Sequence, residues 1–211
     1  MYPELLDVDD RERYLLELVD SVLLKDVLYL NLVKNTANLI GLLKLLAYQV
    51  GQVVNVTDLA SRLGIARPTV VDYLEIFKRM FIVYTLPPFR KKRRDEVGKT
   101  EKIYFYDLGI RNALINDFSP VEYRRDFGNL FENFVVSEVL KKVSYERTRE
   151  QLYFWRTKWG SEVDLILQKD EQLKALEIKL RKGVVTRAFR ETYPKAETKV
   201  ISWGNVGELL L

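Results

Sequence analysis

Four segments in the C-terminal part of the sequence carry the clearest structural pattern: GNLFENFVVSEVLKK (128–142), LYFWRT (152–157), GSEVDLILQ (160–168) and LKALEIKLRK (173–182). The first segment predicts a helix that carries Glu132, and the other three predict β-strands. Because side chains alternate between the faces of a strand, Glu177 and Lys179 should point the same way. If the last two strands are neighbours, Asp164 joins them on one polar face.

Three ionisable groups beside a hydrophobic run cost free energy unless something compensates their charge. A hard divalent cation such as Mg²⁺ or Mn²⁺ is one compensator, because it prefers carboxylate and water oxygens. An ordinary cross-strand ion pair on a solvated face would account for Asp164, Glu177 and Lys179 without a metal. The residues alone leave both interpretations open.

The element order helix–strand–strand–strand–helix–strand, with Glu132, Asp164 and Glu177-Ile178-Lys179 at these places, resembles the PD-(D/E)XK nuclease-like fold. The resemblance implies that Asp164 and Glu177 ligate the metal and that Glu132 assists from the helix. It also implies that Lys179 orients or activates the attacking water, while the metal stabilises charge on a scissile phosphate. The chain departs from the family pattern at Val163, where the family has a proline.

Composition narrows the chemistry that the chain can perform. The 211 residues contain 34 Lys and Arg against 30 Asp and Glu, a net charge of +4 that is compatible with nucleic acid. There is no cysteine and no histidine, which excludes disulfides, Cys/His zinc sites and Ser-His-Asp triads. No apolar run is long enough to span a bilayer, and no signal-peptide pattern begins the chain, so the expected location is cytoplasmic, with no membrane partner.

Residues 1–37 predict a helical lead-in, and residues 38–118 predict a winged helix-turn-helix. The pattern indicates a short helix with Thr57 as its N-cap, which ends at a glycine. The following helix, from Arg67 to Met80, lies in the recognition position of a helix-turn-helix.

The outward positions of this second helix include Asp72 and Glu75, which a DNA groove would repel. We therefore expect any DNA contact from this helix to involve the phosphate backbone, through Arg67 and Thr69, with little base readout.

Two predicted strands, residues 81–86 and 102–107, form the wing. The wing tip carries five consecutive basic residues that suit a phosphate backbone: Arg90, Lys91, Lys92, Arg93 and Arg94. A solvated loop accounts for the same charge without a ligand. Arg181 and Lys182 give the acidic site a basic rim, which is the arrangement that a phosphodiester site needs.

The segments YPELL, SRLGIARPTVVDYLEIFKRM, KIYFYDLGIRNAL and LEIKL occur in this order. Together they resemble the C-terminal half of a prokaryotic, often archaeal, family of AAA-type ATPases. The resemblance implies an α+β chain, with an N-terminal helical/winged-helix domain followed by a PD-(D/E)XK nuclease-like α/β domain with a mixed sheet over residues 119–211. It also implies an ATPase domain as a partner in cis or in trans. This sequence has no phosphate-binding loop of its own, because Arg93 stands where the motif before Gly98-Lys99-Thr100 needs glycine.

Three functions stay open at this point. We favour a nucleic-acid-associated module that binds DNA through the wing and the nuclease-like domain. The second is an active Mg²⁺-dependent nuclease. The third is a protein-interaction module, with a homo-oligomer among its partners, that does not bind nucleic acid.

Overall fold

The computed structural model describes residues 3–23, 35–90 and 101–210. The chain divides into two units. The first, called here the helical unit, comprises Met1–Tyr84 and Phe105–Arg124, and the second, the sheet unit, comprises Thr85–Tyr104 and Arg125–Leu211. The α+β class and the mixed sheet predicted from the sequence are confirmed.

The helical unit consists of short helices packed on an apolar core. Its elements are a 3₁₀ turn Pro3–Leu6, α1 Arg11–Leu18 with a π-helical turn Val19–Leu23, α2 Thr36–Tyr48, α3 Val56–Leu63, α4 Arg67–Arg79, α5 Leu108–Ile115 and a 3₁₀ turn Val121–Tyr123. Helix α2 buries Leu39, Leu42 and Leu46, whose spacing of three and four residues places them on one helix face. Residues 24–34 of the predicted lead-in lie outside the described residues.

The start of α3 corrects one prediction. The N-cap is Asn55 and not Thr57, because the Asn55 side chain accepts hydrogen bonds from the backbone N–H groups of Thr57 and Asp58. Asparagine is as good an N-cap as threonine or better, so the helix begins two residues earlier than an N-cap at Thr57 would place it. The predicted end is confirmed: Gly64 adopts the left-handed conformation (φ 64°) and closes the helix.

This cap assignment gives a testable prediction. Asn55→Ala should lower the free energy of unfolding by about 1 kcal/mol, because two helix N–H groups lose their acceptor. Thr57→Ala is the matched control and should change it by less than about 0.5 kcal/mol, because the backbone N–H stays. Urea denaturation followed by circular dichroism measures both, and equal losses would contradict the assignment.

Strands β1 (Val83–Leu86) and β2 (Lys102–Phe105) form a two-stranded sheet. Strand β1 begins later than predicted because Phe81 adopts a left-handed conformation (φ 55°), which an extended strand cannot contain. The basic residues Lys91, Lys92, Arg93 and Arg94 lie outside the described residues.

The sheet unit has the predicted element order. It contains α6 Phe127–Glu146, β3 Gln151–Arg156, β4 Glu162–Lys169, β5 Gln172–Ile178, α7 Arg187–Thr192, β6 Glu197–Ile201 and α8 Gly207–Leu210. The strand order is β3-β4-β5-β6, with β3, β4 and β5 antiparallel and β6 parallel to β5. Among the helices that the structure describes, none is long and apolar enough to cross a membrane.

The outer edge of β3 is covered by the segment that follows β1. The Phe154 N–H donates to the Pro87 carbonyl at 3.1 Å, and the Phe89 N–H donates back to the Phe154 carbonyl. Phe89 also packs in a buried cluster with Tyr153 and Phe189. Phe89, before the predicted basic loop, and Lys102, at the start of β2 after it, both belong to the sheet unit.

Candidate functional site

Asp164 is fixed at the point where the pairing of β4 with β5 ends. The paired register runs from Lys169↔Gln172 to Leu165↔Leu176. Asp164 is the residue of β4 next to the last paired residue, Leu165. Its Oδ2 accepts a hydrogen bond of 2.8 Å from the Ile178 N–H of β5, so this amide is paired with a side chain and not with a backbone carbonyl of β4. Only 5% of Asp164 is exposed, and this bond to a buried amide holds its carboxylate in one position.

A β-bulge in β4 determines where Asp164 points. Tyr153 pairs with Ile166 and Trp155 with Val163, so Asp164 and Leu165 together face one residue of β3. The uninterrupted alternation assumed from the sequence breaks at this point, and Val163 and Ile166 belong to the same buried cluster. Bulges of this kind commonly redirect a side chain beside a functional site.

The structure brings Glu177 and Lys179 together with Asp164. The Lys179 ammonium lies 3.0 Å from Asp164 Oδ2 and 2.8 Å from Glu177 Oε1. The Lys179 side chain is 45% exposed, whereas the Glu177 side chain is 10% exposed. Gly183 leaves room for the lysine stem, because a Cβ at Gly183 would lie 2.8 Å from Lys179 Cγ. The three residues therefore form one connected ionic group at the end of β5.

A second lysine, Lys102 of β2, lies within the same group and was not predicted from the sequence. Its ammonium is 2.9 Å from Glu132 Oε1, 2.5 Å from Glu162 Oε1 and 3.8 Å from Asp164 Oδ1. The residue is 2% exposed, and its ammonium also lies 5.8 Å from the centre of the Phe154 ring. A lysine in a strand of otherwise apolar and aromatic residues, KIYF, is the one sequence signal that could have drawn attention to it.

Glu132 reaches this group from α6, as the sequence predicted. Its Oε1 accepts hydrogen bonds from the Lys102 ammonium at 2.9 Å and from the Tyr104 hydroxyl at 2.7 Å. Glu162, which was not predicted as a site residue, also pairs with Arg156. Its Oε2 lies 3.5 Å from the Arg156 Nε. We call Glu132, Glu162, Asp164 and Glu177 the acidic cluster.

Burial favours the neutral form of each ionisable group, whereas attraction between the carboxylates and the lysines favours the charged forms. Burial raises the pKa of Glu132, and burial followed by repulsion from Asp164 raises the pKa of Glu177. Burial alone would lower the pKa of Lys102, but the carboxylates of Glu132, Asp164 and Glu162 more than offset it and raise the pKa above its ordinary value. Asp164 and Glu177 likewise outweigh burial and raise the pKa of Lys179. Both lysines therefore stay charged at neutral pH.

The resemblance to nucleases implies Mg²⁺ or Mn²⁺, and the arrangement of the carboxylates tests that implication. Lys102 and Lys179 occupy the space between the four carboxylates and bond to their oxygens. Among residues 3–23, 35–90 and 101–210, no three acidic side chains are grouped so that they could hold a metal ion. Among the oxygens of the acidic cluster, Glu177 Oε2 is buried and has no hydrogen-bond partner. With both lysines in place, the residues do not fit a divalent cation.

The residues predicted to contact nucleic acid lie in both units. In the helical unit, Arg67 is exposed at the start of α4 and Thr69 is partly buried. In the sheet unit, Arg90 is partly buried, and Arg181 and Lys182 are exposed just after β5.

Comparison with known proteins places the chain in a family. Residues 1–121 match the domain of unknown function DUF8612, and the chain belongs to this family. Residues 127–203 match a second domain of unknown function, DUF4143. The acidic cluster and Lys179 lie within the second match, whereas Lys102 lies within the first.

The chain is also similar to uncharacterized proteins of two bacteria. It is 28% identical over 137 residues to a protein of Mycobacterium tuberculosis, a match that covers 64% of this chain and 30% of that protein. It is 24% identical over 148 residues to a protein of Haemophilus influenzae, covering 67% of this chain and 36% of that protein. The chain thus spans about a third of the length of these relatives. No solved structure matches it.

Proposed function

We propose that the protein is a nucleic-acid-associated module of an AAA-type ATPase and that its sheet unit is the DNA-binding part. The observation that carries this proposal is the separation of charge between the units. The sheet unit has 23 Lys and Arg against 16 Asp and Glu, a net charge of +7, whereas the helical unit has 11 against 14, a net charge of −3. A basic unit attracts the phosphate backbone, and an acidic unit repels it.

The exposed residues of the sheet unit suit a nucleic-acid strand. Arg156 and Arg187 have side chains that are 49% and 85% exposed, respectively. Trp159, in the turn between β3 and β4, is 84% exposed, and the Lys158 ammonium lies 4.8 Å from its ring centre. An exposed indole beside positive charge is typical of surfaces on which unpaired bases stack. These features, together with Arg181 and Lys182, favour contact with phosphates and bases over contact with an acidic protein.

The helical unit contributes less to this proposal. Helices α3 and α4 resemble a helix-turn-helix, and Arg67 lies exposed at the start of the second helix. Asp72 and Glu75 are exposed on the same helix, and the unit as a whole carries negative charge. Arg67 and Thr69 therefore add contacts to the backbone without setting the affinity. DUF4143 is commonly associated with AAA-type ATPases, which supports the proposed ATPase partner in cis or in trans.

Binding and cleavage can be tested in one experiment. Fluorescence anisotropy with labelled single-stranded and duplex DNA, repeated over a series of salt concentrations, measures affinity and its salt dependence. In parallel, plasmid DNA is incubated with the protein and Mg²⁺ or Mn²⁺. We expect affinity that falls steeply with salt, and no nicking. Absence of binding at low salt would overturn the proposal in favour of a protein-interaction module.

A charge reversal tests which unit binds. Arg181→Glu combined with Lys182→Glu should weaken DNA binding by about tenfold or more and reduce the slope of log affinity against log salt by about 2. The control is Arg11→Glu combined with Arg62→Glu, which reverses two exposed charges in the helical unit and should have a smaller effect. A larger loss in the control than in the sheet-unit variant would contradict the assignment.

Phosphodiester hydrolysis is the second candidate, and Glu177 is the observation that favours it. Its Oε2 is buried and has no partner, as a ligand oxygen would be in a metal site without its metal. Nicking by the wild-type protein that disappears in Lys179→Ala would establish this alternative over binding alone.

A further inference from the structure

We infer that Lys102 is a built-in cation that takes the place of the divalent metal in a nuclease-like acidic site, and that removing its charge creates a site for Mg²⁺ or Mn²⁺. The inference rests on the disagreement between the metal implied by the resemblance and the contacts in the structure. It does not depend on whether the protein binds nucleic acid.

The position of Lys102 distinguishes it from an ordinary surface ion pair. Its side chain is 3% exposed, and its ammonium lies within 4 Å of three carboxylates that come from α6 and β4. By contrast, Lys174 on β5 pairs with Glu197 at 3.1 Å with side chains that are 36% and 63% exposed. Because Lys102 lies in a strand whose four residues are all buried, the backbone holds the ammonium among the carboxylates.

The side chains around Lys102 are of the type that a hard cation prefers, although no three of the described acidic side chains are grouped to hold a metal ion while Lys102 is in place. Glu132, Glu162 and Asp164 supply oxygens from three positions on two elements, and hard divalent ions prefer carboxylate oxygens. The unpartnered Glu177 Oε2 is an independent sign that the group has an unused ligand. Glu177 is 7% exposed, and its other oxygen contacts the Lys179 ammonium, which also contacts Asp164. Loss of the Lys102 charge would therefore leave the four carboxylates of the acidic cluster with Lys179 and Arg156 as their remaining cationic partners.

Manganese binding tests the inference directly. Titration of Mn²⁺ is followed by electron paramagnetic resonance of the free ion for the wild type, Lys102→Met, Lys102→Arg and Lys174→Met. Methionine keeps an unbranched apolar stem close in size to that of lysine and lacks the ammonium group. We expect Mn²⁺ to bind Lys102→Met at least about tenfold more tightly than any of the other three proteins. Adding Asp164→Asn to Lys102→Met should abolish the gain.

Each result bears on the inference. Equal affinity in the wild type and Lys102→Met, or a gain of similar size in Lys174→Met, would overturn it. If Lys102→Met does not fold without a divalent ion, the same titration is followed by circular dichroism. Recovery of the fold on addition of Mn²⁺ then supports the inference, and a chain that stays unfolded at saturating Mn²⁺ overturns it. Failure of the proposed function would instead appear as loss of DNA binding, with this titration unchanged.

Discussion

Replacing Lys102 with methionine is expected to lower the free energy of unfolding by about 3–5 kcal/mol at pH 7, because it leaves the largely buried Glu132 without a counter-charge and removes one cation from Glu162 and Asp164. The Lys102 ammonium contacts Glu132 and Glu162 directly and is almost inaccessible to water. Lys174→Met is the matched control. It removes a lysine from an exposed ion pair on β5 and should cost less than about 1 kcal/mol. Urea denaturation of the whole chain in metal-free buffer measures both.

The loss of unfolding free energy in Lys102→Met should be larger at neutral pH than at acidic pH. Glu132 and Glu177 already have raised pKa values, and removal of Lys102 should raise the pKa of Glu132 further. A carboxyl whose pKa is higher in the folded state binds more protons there, so stability increases as the pH falls towards its ordinary pKa. The deficit of Lys102→Met should therefore be smaller at pH 5 than at pH 7.

At alkaline pH the stability of the wild-type protein should fall as Lys102 loses its proton. The raised pKa of Lys102 means that its stabilisation is fully present below the ordinary lysine pKa of about 10.4 and is lost as the pH rises through the folded value. Lys102→Met should lack this alkaline loss. A deficit that is the same at pH 5, at pH 7 and at a pH above the raised pKa of Lys102 would contradict the electrostatic account and leave only a packing effect.

Asp164→Ala is the second variant with a large expected effect, a loss of about 3 kcal/mol or more in the free energy of unfolding. The change removes the acceptor of the buried Ile178 N–H and a partner of the Lys179 ammonium. In a metal site that lacks its ion, neutralising one carboxylate would instead relieve repulsion and stabilise the protein. The sign of this change therefore separates a lysine-neutralised network from a vacant catalytic site.

Glu177→Gln is the comparison for Asp164→Ala, because Glu177 is the member of the acidic cluster whose charge is least compensated. Burial and Asp164 raise its pKa, and one of its oxygens has no partner. Glutamine retains an acceptor for Lys179 without the negative charge, so the change should cost less than about 1 kcal/mol or stabilise the protein. Thermal denaturation of the two variants side by side measures the contrast. Equal losses, or stabilisation by Asp164→Ala, would contradict the account.

Local patterns in the sequence were sufficient to predict the elements of the sheet unit. Helix α6 and strands β3, β4 and β5 follow directly from the periodicity of their apolar residues. The convergence of Asp164, Glu177 and Lys179 also follows from this pattern, because two neighbouring strands bring opposed residues together. The roles assigned to these residues and to Glu132 stay predictions.

Features that depend on distant parts of the chain could not be predicted in this way. Lys102 is 30 residues from Glu132 in the sequence. A single lysine in a short strand is typical of a surface position, and only the structure shows that all four residues of this strand are buried. The bulge at Asp164 is equally invisible, because it arises from the register between β3 and β4 and not from either strand alone. Whether the acidic cluster holds a metal or a lysine depends on these tertiary details.

Anomalous diffraction distinguishes a lysine from a metal ion in the acidic cluster. A crystal of the wild-type protein is soaked in MnCl₂, and data are collected at the manganese absorption edge. We predict that no manganese peak appears among Glu132, Glu162, Asp164 and Glu177, and that density for the Lys102 ammonium lies between the first three. A manganese peak coordinated by Asp164 and Glu177, with Lys102 displaced from the cluster, would contradict the account and favour a metal-dependent nuclease.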